Sequence, residues 1–192
     1  MKKLLIILVL ALLLVSCAKN PFSSRDSDTP VSAAGTFIPP TSPEIVIENL
    51  RLAYNELVIS NFIQSIDSNF VFRFDFIEGA TLDTTWDFTR EVNLTENLFS
   101  DFRLSEGELT ISVEMIPQFG QEDIVLDTMA IMIRSYVITV TDTLLKETEV
   151  YEGVSQFELI ESSFNYWTLL VWEDLHVDTR TKSWADLKSK YR

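Results

Sequence analysis

The spacing of apolar residues divides the chain into three parts. Residues 4–14 form an unbroken apolar run, no regular spacing follows it as far as residue 43, and helical and strand-like periods alternate beyond that point. A folded domain needs apolar residues that recur at the period of its helices and strands. The pattern therefore predicts a leader over 1–16, a spacer over 17–43 and one folded domain over 44–192.

Helical spacing opens the predicted domain. Apolar residues recur every three or four positions over 46–57, which predicts an amphipathic helix. Residue types typical of a helix start precede it: Thr41 or Ser42 as the cap, Pro43 in the first turn, and Glu44 as the capping-box partner of Thr41. A second short helix is expected over 61–66.

The period then changes to two, as it does in strands. Four phenylalanines alternate with other residues in the first such stretch: Phe70, Phe72, Phe74 and Phe76. Further strands are expected over 109–115, 129–140, 151–159 and 166–172, with a helical turn or two over 90–99 and a short helix after Ser183. Helices followed by strands at hairpin spacing indicate an α+β fold, with the helices packed on one face of a bent antiparallel sheet.

One strand changes its apolar parity along its length. Met129, Ile131 and Ile133 share one phase, whereas Tyr136 and Ile138 share the other. An extra residue in a strand moves all later side chains to the opposite face. The parity change therefore predicts a β-bulge near residues 134–135, which would also bend the sheet.

The leader has the features of a bacterial lipoprotein signal. Lys2 and Lys3 precede the apolar run, which at eleven residues is too short to span a bilayer but suits a secretory signal peptide. The run ends in Leu14-Val15-Ser16-Cys17, which resembles a lipobox. The resemblance implies cleavage before Cys17, acylation of that residue, and a lipid-anchored protein of the cell envelope.

The residue after the cysteine bears on which membrane holds the anchor. Ala18 stands where an Asp would favour retention at the inner membrane. If the host has two membranes, the resemblance therefore favours the periplasmic face of the outer membrane or the cell surface. Five of the six prolines lie between Cys17 and residue 44, so we interpret this stretch as a disordered tether.

Composition excludes several kinds of protein. The net charge is −14, and removal of 1–16 would take away two lysines and no acid, leaving −16. Such a chain lacks the basic face that nucleic acids require, and only the lipid on Cys17 would attach it to a membrane. A single Cys excludes an intrachain disulfide, and no metal-binding or phosphate-binding motif is present, so we expect no metal and no cofactor.

Several segments of the domain together resemble one known family. They are Asn49-Leu50-Arg51-Leu52-Ala53-Tyr54 after Pro43-Glu44, the strand Phe70-Val71-Phe72, the motif Trp167-x-Leu169-x-x-Trp172-x-Asp174, and Ser183-Trp184-Ala185-Asp186-Leu187-Lys188. Ala185 departs from the pattern, where Gly is expected. The set resembles lipoproteins with a nuclear-transport-factor-two-like domain, the cone-shaped roll shared with ketosteroid isomerase and SnoaL. The resemblance implies a hydrophobic pocket between sheet and helices, and dimerisation through the sheet.

The candidate pocket residues are aromatic. They are Phe72, Phe74, Trp86, Tyr136 and Trp172. They would line an apolar ligand site, or they would form ordinary core, which is the commoner use of aromatic faces on strands. An enzyme would need an acid or base in the same pocket, and the candidates for that role are Asp75, Tyr136 and His176.

These observations favour a non-catalytic, lipid-anchored envelope protein whose domain binds a partner protein or a small apolar ligand. The alternatives are an isomerase- or dehydratase-like enzyme, and a dimeric structural spacer. A shared fold does not decide between them.

Acylation of Cys17 makes a direct prediction. Cys17→Ala should abolish incorporation of radiolabelled palmitate and release the protein from the membrane fraction, because no other residue offers the thiol that carries the lipid. Ser16→Ala serves as the control and should leave both signals unchanged. Membrane association that persists in Cys17→Ala would contradict the assignment.

Overall fold

The computed structural model describes residues 35–74, 85–175, 178 and 181–191. Cys17 and the leader, together with Asp75 and His176, lie outside the described residues. The predictions made for them therefore stay predictions. Within the described part, no helix combines the length and apolar character needed to cross a bilayer.

Two helices open the domain, as predicted. They are α1, Pro43–Glu56, and α2, Ile59–Ser65. Leu57 takes a left-handed conformation at the end of α1, with φ of 56°, and so separates the two helices. Ser42 is the cap residue, but its side chain makes no capping hydrogen bond, so the predicted capping box is not formed. Buried Pro43 starts the helix instead.

The third helix is longer than predicted. It is α3, Phe88–Leu104, and Asp87 caps it by accepting a hydrogen bond of 2.9 Å from the backbone N–H of Arg90. One face of α3 packs its apolar residues into the core, among them Leu94, Leu98 and Phe99. The expected turn over 90–99 is thus the middle of a 17-residue helix.

Seven strands form one curved sheet that does not close into a barrel. The strands are β1, Ile66–Phe74; β2, Thr85–Asp87; β3, Leu109–Pro117; β4, Ile124–Val125; β5, Met129–Asp142; β6, Glu147–Glu161; and β7, Trp167–Leu175. Their order is β2-β1-β7-β6-β5-β3, with β4 also paired to β5. The helices pack on the inner face, which confirms the predicted α+β roll.

All neighbouring strands are antiparallel except one pair. β1 runs parallel to β7, and their register shifts between Ile66 and Val71. The shift coincides with a local turn in which the Asp67 side chain accepts a hydrogen bond of 2.8 Å from the backbone N–H of Asn69. The strand therefore begins before the alternating phenylalanines, and residues 67–69 form an irregularity inside β1.

The bulge predicted near 134–135 is absent. The register of β5 with β6 runs without interruption from Met129–Ile160 to Asp142–Glu147. Alternate side chains of β5 point inward throughout, and one of these inner positions holds Arg134. Its guanidinium is buried and makes two hydrogen bonds, of 2.7 and 2.8 Å, to Asp123. The apolar parity changes along β5 because one inward position holds Arg134, which pairs with Asp123, while apolar residues occupy outward positions.

The end of the expected tether packs on the domain. The backbone of Ile38 exchanges two hydrogen bonds with the Asn49 side chain, at 2.9 and 2.7 Å, and the backbone N–H of Trp167 donates to the Pro40 carbonyl at 2.8 Å. The structure thus differs from the sequence interpretation for residues 35–43. A buried Asn on α1 satisfies the extended backbone there, which proline content alone does not reveal.

The last helix is α4, Trp184–Ser189, and it follows the prediction closely. The Ser183 side chain accepts from the Asp186 backbone, and the Asp186 side chain accepts from the Ser183 backbone, which completes a capping box. Trp184, Ala185, Leu187 and Lys188 are all buried. Four residues of a six-residue helix thus enter the core, and this insertion determines the character of the inner face.

Candidate functional site

The predicted pocket residues lie together, but they pack against one another. Phe72 stacks on Trp86 with ring centroids 5.1 Å apart, and meets Trp172 edge-on at 5.3 Å. Phe74 lies 4.8 Å from Trp86. All four are buried. They form the aromatic core of the roll.

Tyr136, the fifth candidate, occupies a polar position beside this cluster. Its hydroxyl donates to a carboxylate oxygen of Asp174 at 2.5 Å and accepts from the backbone N–H of Trp184 at 2.9 Å. The phenol lies directly over Gly153 of β6, where a Cβ atom would clash with the ring. Gly153 thus lets a side chain of β5 reach across β6 to Asp174 on β7.

Asp174 joins the sheet to α4. Its second carboxylate oxygen accepts from the backbone N–H of Ala185 at 2.7 Å, and the carboxylate is fully buried. Burial raises the pKa of Asp174, while the hydrogen bonds from Tyr136 and Ala185 act in the opposite direction. Burial also raises the pKa of Tyr136, and the neighbouring Asp174 adds to that effect. Both side chains are buried, so the pair is closed to bulk solvent.

A second buried pair lies deeper in the roll. The ammonium of Lys188 on α4 makes an ion pair with Glu91 on α3, and both side chains are 0% exposed. The Thr95 hydroxyl donates to the same oxygen of Glu91 at 3.5 Å and lies 3.4 Å from the Tyr54 hydroxyl. Burial lowers the pKa of Lys188, although Glu91 acts in the opposite direction.

α4 fills the space between the sheet and helices α1 and α3, where the sequence predicts a pocket. Its Trp184 ring contacts three aromatic rings, with centroids 4.9 Å from Tyr54, 5.1 Å from Tyr136 and 4.6 Å from Trp172. Lys188 and Leu187 fill the remaining volume beneath it. A substrate could reach Tyr136 or Asp174 only after α4 had moved.

An exposed cluster holds the far end of α4 in place. Glu149 on β6 accepts hydrogen bonds from Lys182 at 2.9 Å, from Lys190 at 2.6 Å and from the Tyr151 hydroxyl at 2.7 Å. These three bonds, the one from Lys190 foremost, lower the pKa of Glu149 to about 2. The cluster fastens both ends of the 182–190 segment to the sheet.

Three surface depressions lie in the described part, and only one of these three touches the aromatic core, at Phe74. One depression of about 360 Å³ is bordered by Phe37, Pro39, Pro40, Gln64, Tyr166 and Thr168. Another, of about 350 Å³, lies at the start of α3 beside Asp87, Arg90 and Asn93. A third, of about 180 Å³, is bordered by Phe74, with Arg73, Glu173 and Leu175. In the described ranges no cluster of three His, Cys, Asp or Glu side chains could hold a metal.

Sequence reasoning found the aromatic members of this region and missed its charged members. Arg73 on β1 pairs with Glu173 on β7 at 3.0 Å. Glu91, Asp174 and Lys188 were not selected as site residues. One feature of the sequence pointed to Lys188. It stands four residues after Trp184 and therefore lies on the same face of the helix.

Comparison with solved structures supports the fold. The chain is similar to a conserved protein from Planctomyces limnophilus, with a TM-score of 0.52 and 14% identity over 69% of this chain and 91% of that one. Other similar structures are a nuclear transport factor 2-like superfamily protein from Salmonella enterica (TM-score 0.48, 9% identity, 67% and 83% covered) and a ketosteroid isomerase-like protein from Erwinia carotovora (TM-score 0.49, 12% identity, 70% and 93% covered). At 14% identity the likeness to the Planctomyces protein shows a shared fold alone and says nothing about activity.

No family model matches the chain, and no curated protein matches it in sequence.

The Tyr136 hydroxyl makes a testable contribution to stability. Tyr136→Phe should lower the free energy of unfolding by about 2 kcal/mol, because it removes the donor to one oxygen of the buried Asp174 carboxylate and the acceptor of the Trp184 N–H. Urea unfolding followed by tryptophan fluorescence measures the change. Tyr166→Phe, at an exposed position, is the control and should be near neutral. An equal effect of both variants would show that the hydroxyl does not hold α4.

The Glu149 cluster makes the attachment of α4 sensitive to acid. The pKa of Glu149 falls from 4.5 to about 2 on folding, so its contribution to stability is complete above pH 4.5 and is lost as the pH falls to about 2. Glu149→Gln should therefore destabilise the protein at pH 7 and have little effect near the lower value. Glu152→Gln, an exposed glutamate on the same strand, should show no such pH-dependent difference. A constant effect of Glu149→Gln across this range would contradict the assignment.

Proposed function

We propose that the protein is a lipid-anchored component of the cell envelope whose domain binds a partner protein without catalysing a reaction. The observation that carries the proposal is that α4 fills the inner face while a row of apolar side chains stays exposed at one end of the sheet. The anchor on Cys17 is the part of the proposal that comes from sequence alone.

The filled interior argues against the enzyme alternative. An acid or base must reach the substrate, or a water next to it, to transfer a proton. Tyr136 is buried under α4, and its hydroxyl is already hydrogen-bonded to Asp174 and Trp184. A small apolar ligand meets the same obstacle, because the aromatic side chains that would contact it are in contact with each other.

The exposed apolar residues form a surface that we call the apolar rim. It consists of Ile116, Phe119, Ile124, Val125, Leu126, Met129, Phe164 and Tyr166. Phe119 is 97% exposed, although phenylalanine is normally buried. Contiguous apolar surface of this kind on a folded domain marks an interaction site.

Strand pairing brings the members of the apolar rim to the same end of the sheet. β4 pairs with the first residues of β5, and Leu126 donates a backbone hydrogen bond of 2.8 Å to Met129. The 162–166 turn lies beside them, because Met129 pairs with Ile160 and the Glu161 N–H donates to Thr128 at 3.0 Å. The rim residues of β4, of the start of β5 and of the 162–166 turn therefore lie at the same end of the sheet.

Charge indicates the chemistry of the partner. Exposed acids flank the apolar side chains, namely Glu122 and Asp127. An anionic lipid surface would be repelled by them. A protein that presents an apolar centre surrounded by lysines and arginines would match both the rim and its margin.

Site-specific photo-crosslinking in the native host tests the proposal. A photoreactive residue in place of Phe119 should give a discrete protein adduct, and the same residue in place of Leu144 should not. Leu144 is a matched control, since it is 69% exposed and lies in the hairpin at the opposite end of β5.

A second experiment identifies the surface by mutation. Ile124→Asp combined with Val125→Asp should abolish the adduct formed at position 119, whereas Leu144→Asp combined with Leu145→Asp should preserve it. An adduct with a second copy of the chain would support the dimeric spacer instead. Equal adducts from both ends of the sheet would overturn the proposal.

A further inference from the structure

The ammonium group of Lys188 is enclosed by aromatic rings and a carboxylate. Its Nζ lies 3.9 Å from the ring centroid of Phe72 and 4.1 Å from that of Trp172, with Trp184 at 5.7 Å. Glu91 supplies the opposite charge. We call these four residues around the ammonium the aromatic cage.

This arrangement has the chemistry of an ammonium receptor. A cation over the faces of Phe and Trp rings is attracted by their quadrupoles, most strongly where water is excluded. A carboxylate adds charge-assisted hydrogen bonds to any N–H donor that the cation carries. The aromatic cage offers both, and its members come from β1, β7, α3 and α4.

The aromatic cage has more hydrogen-bonding capacity than Lys188 uses. Among the described residues, no group donates a hydrogen bond to the second carboxylate oxygen of Glu91, although that atom is buried. An unsatisfied buried carboxylate oxygen is costly and unusual. It belongs to the carboxylate that pairs with the ammonium and can accept a further N–H, which favours a primary ammonium over a quaternary one.

Packing alone does not account for a lysine at this place. Its ammonium must be taken out of water, and a leucine or methionine of similar volume would fill the same space without that cost. Lys188 therefore places a cation in a site whose aromatic rings and carboxylate attract cations.

We infer that the aromatic cage is a binding site for a primary alkylammonium group, and that Lys188 is its internal ligand. The chain thereby occupies its own site, and an external alkylamine can enter only when the Lys188 side chain is withdrawn. The site is separate from the apolar rim and independent of the partner proposed for it.

Chemical rescue of the full chain tests this inference. Lys188→Ala should lower the melting temperature, and n-butylammonium chloride should raise it again in a saturable manner, since a ligand that binds only the folded state stabilises it by RT ln(1 + [L]/Kd). n-Butanol has the same shape without the charge and should give little rescue. Sodium chloride at equal ionic strength controls for screening.

Two further variants make the readout specific. Lys188→Ala combined with Glu91→Gln should lose the response to butylammonium, because the carboxylate is gone while the volume is kept. Lys190→Ala removes an exposed lysine of the same segment and should show no response to the amine. Equal rescue by butanol, or an undiminished response without the Glu91 carboxylate, would overturn the inference.

The test remains decisive if Lys188→Ala does not fold by itself. The variant is then diluted from urea into buffer containing butylammonium or butanol, and recovery of the native tryptophan fluorescence is measured. Folding that depends on the amine supports the site, because binding and folding are then coupled. Failure to refold in the amine, under conditions in which Lys188→Met refolds, counts against it.

Discussion

The carboxylate of Asp174 ties together the elements that close the inner face of the sheet. It belongs to β7, accepts from Tyr136 of β5 and from the backbone of α4, and has no contact with water. A buried carboxylate is tolerated only where such donors satisfy it. Its position therefore fixes where α4 begins, and α4 in turn carries Trp184 and Lys188 into the roll.

The regular parts of this architecture could be predicted from the sequence, because they depend on local periods. The alternating phenylalanines of β1 and the spacing of α1 each fix a buried face without reference to the rest of the chain. β5 shows the limit of that reasoning. The apolar parity of β5 predicts a bulge that is absent, because Arg134 points inward. Its burial is possible because it pairs with Asp123, which lies eleven residues earlier in a loop.

The site was harder to predict than the fold for a similar reason. Phe72, Phe74, Trp86 and Trp172 would look the same in a sequence whether they lined an open pocket or a filled one. Whether the pocket is open or filled depends on α4, which lies more than ten residues along the chain from the nearest of these four residues. Gly153 was the clearest local sign that two side chains approach closely, since an interior strand glycine often marks such a contact.

The core is completed by α4, which follows every other described element in the sequence, and this order bears on how the domain is made. Synthesis proceeds from the N-terminus at roughly 5–20 residues per second, and domains fold as units. A chain synthesised only as far as β7 leaves Glu91 without its ammonium partner and the aromatic residues of β1 and β7 uncovered. The buried core of the domain is therefore completed only once α4 has been made.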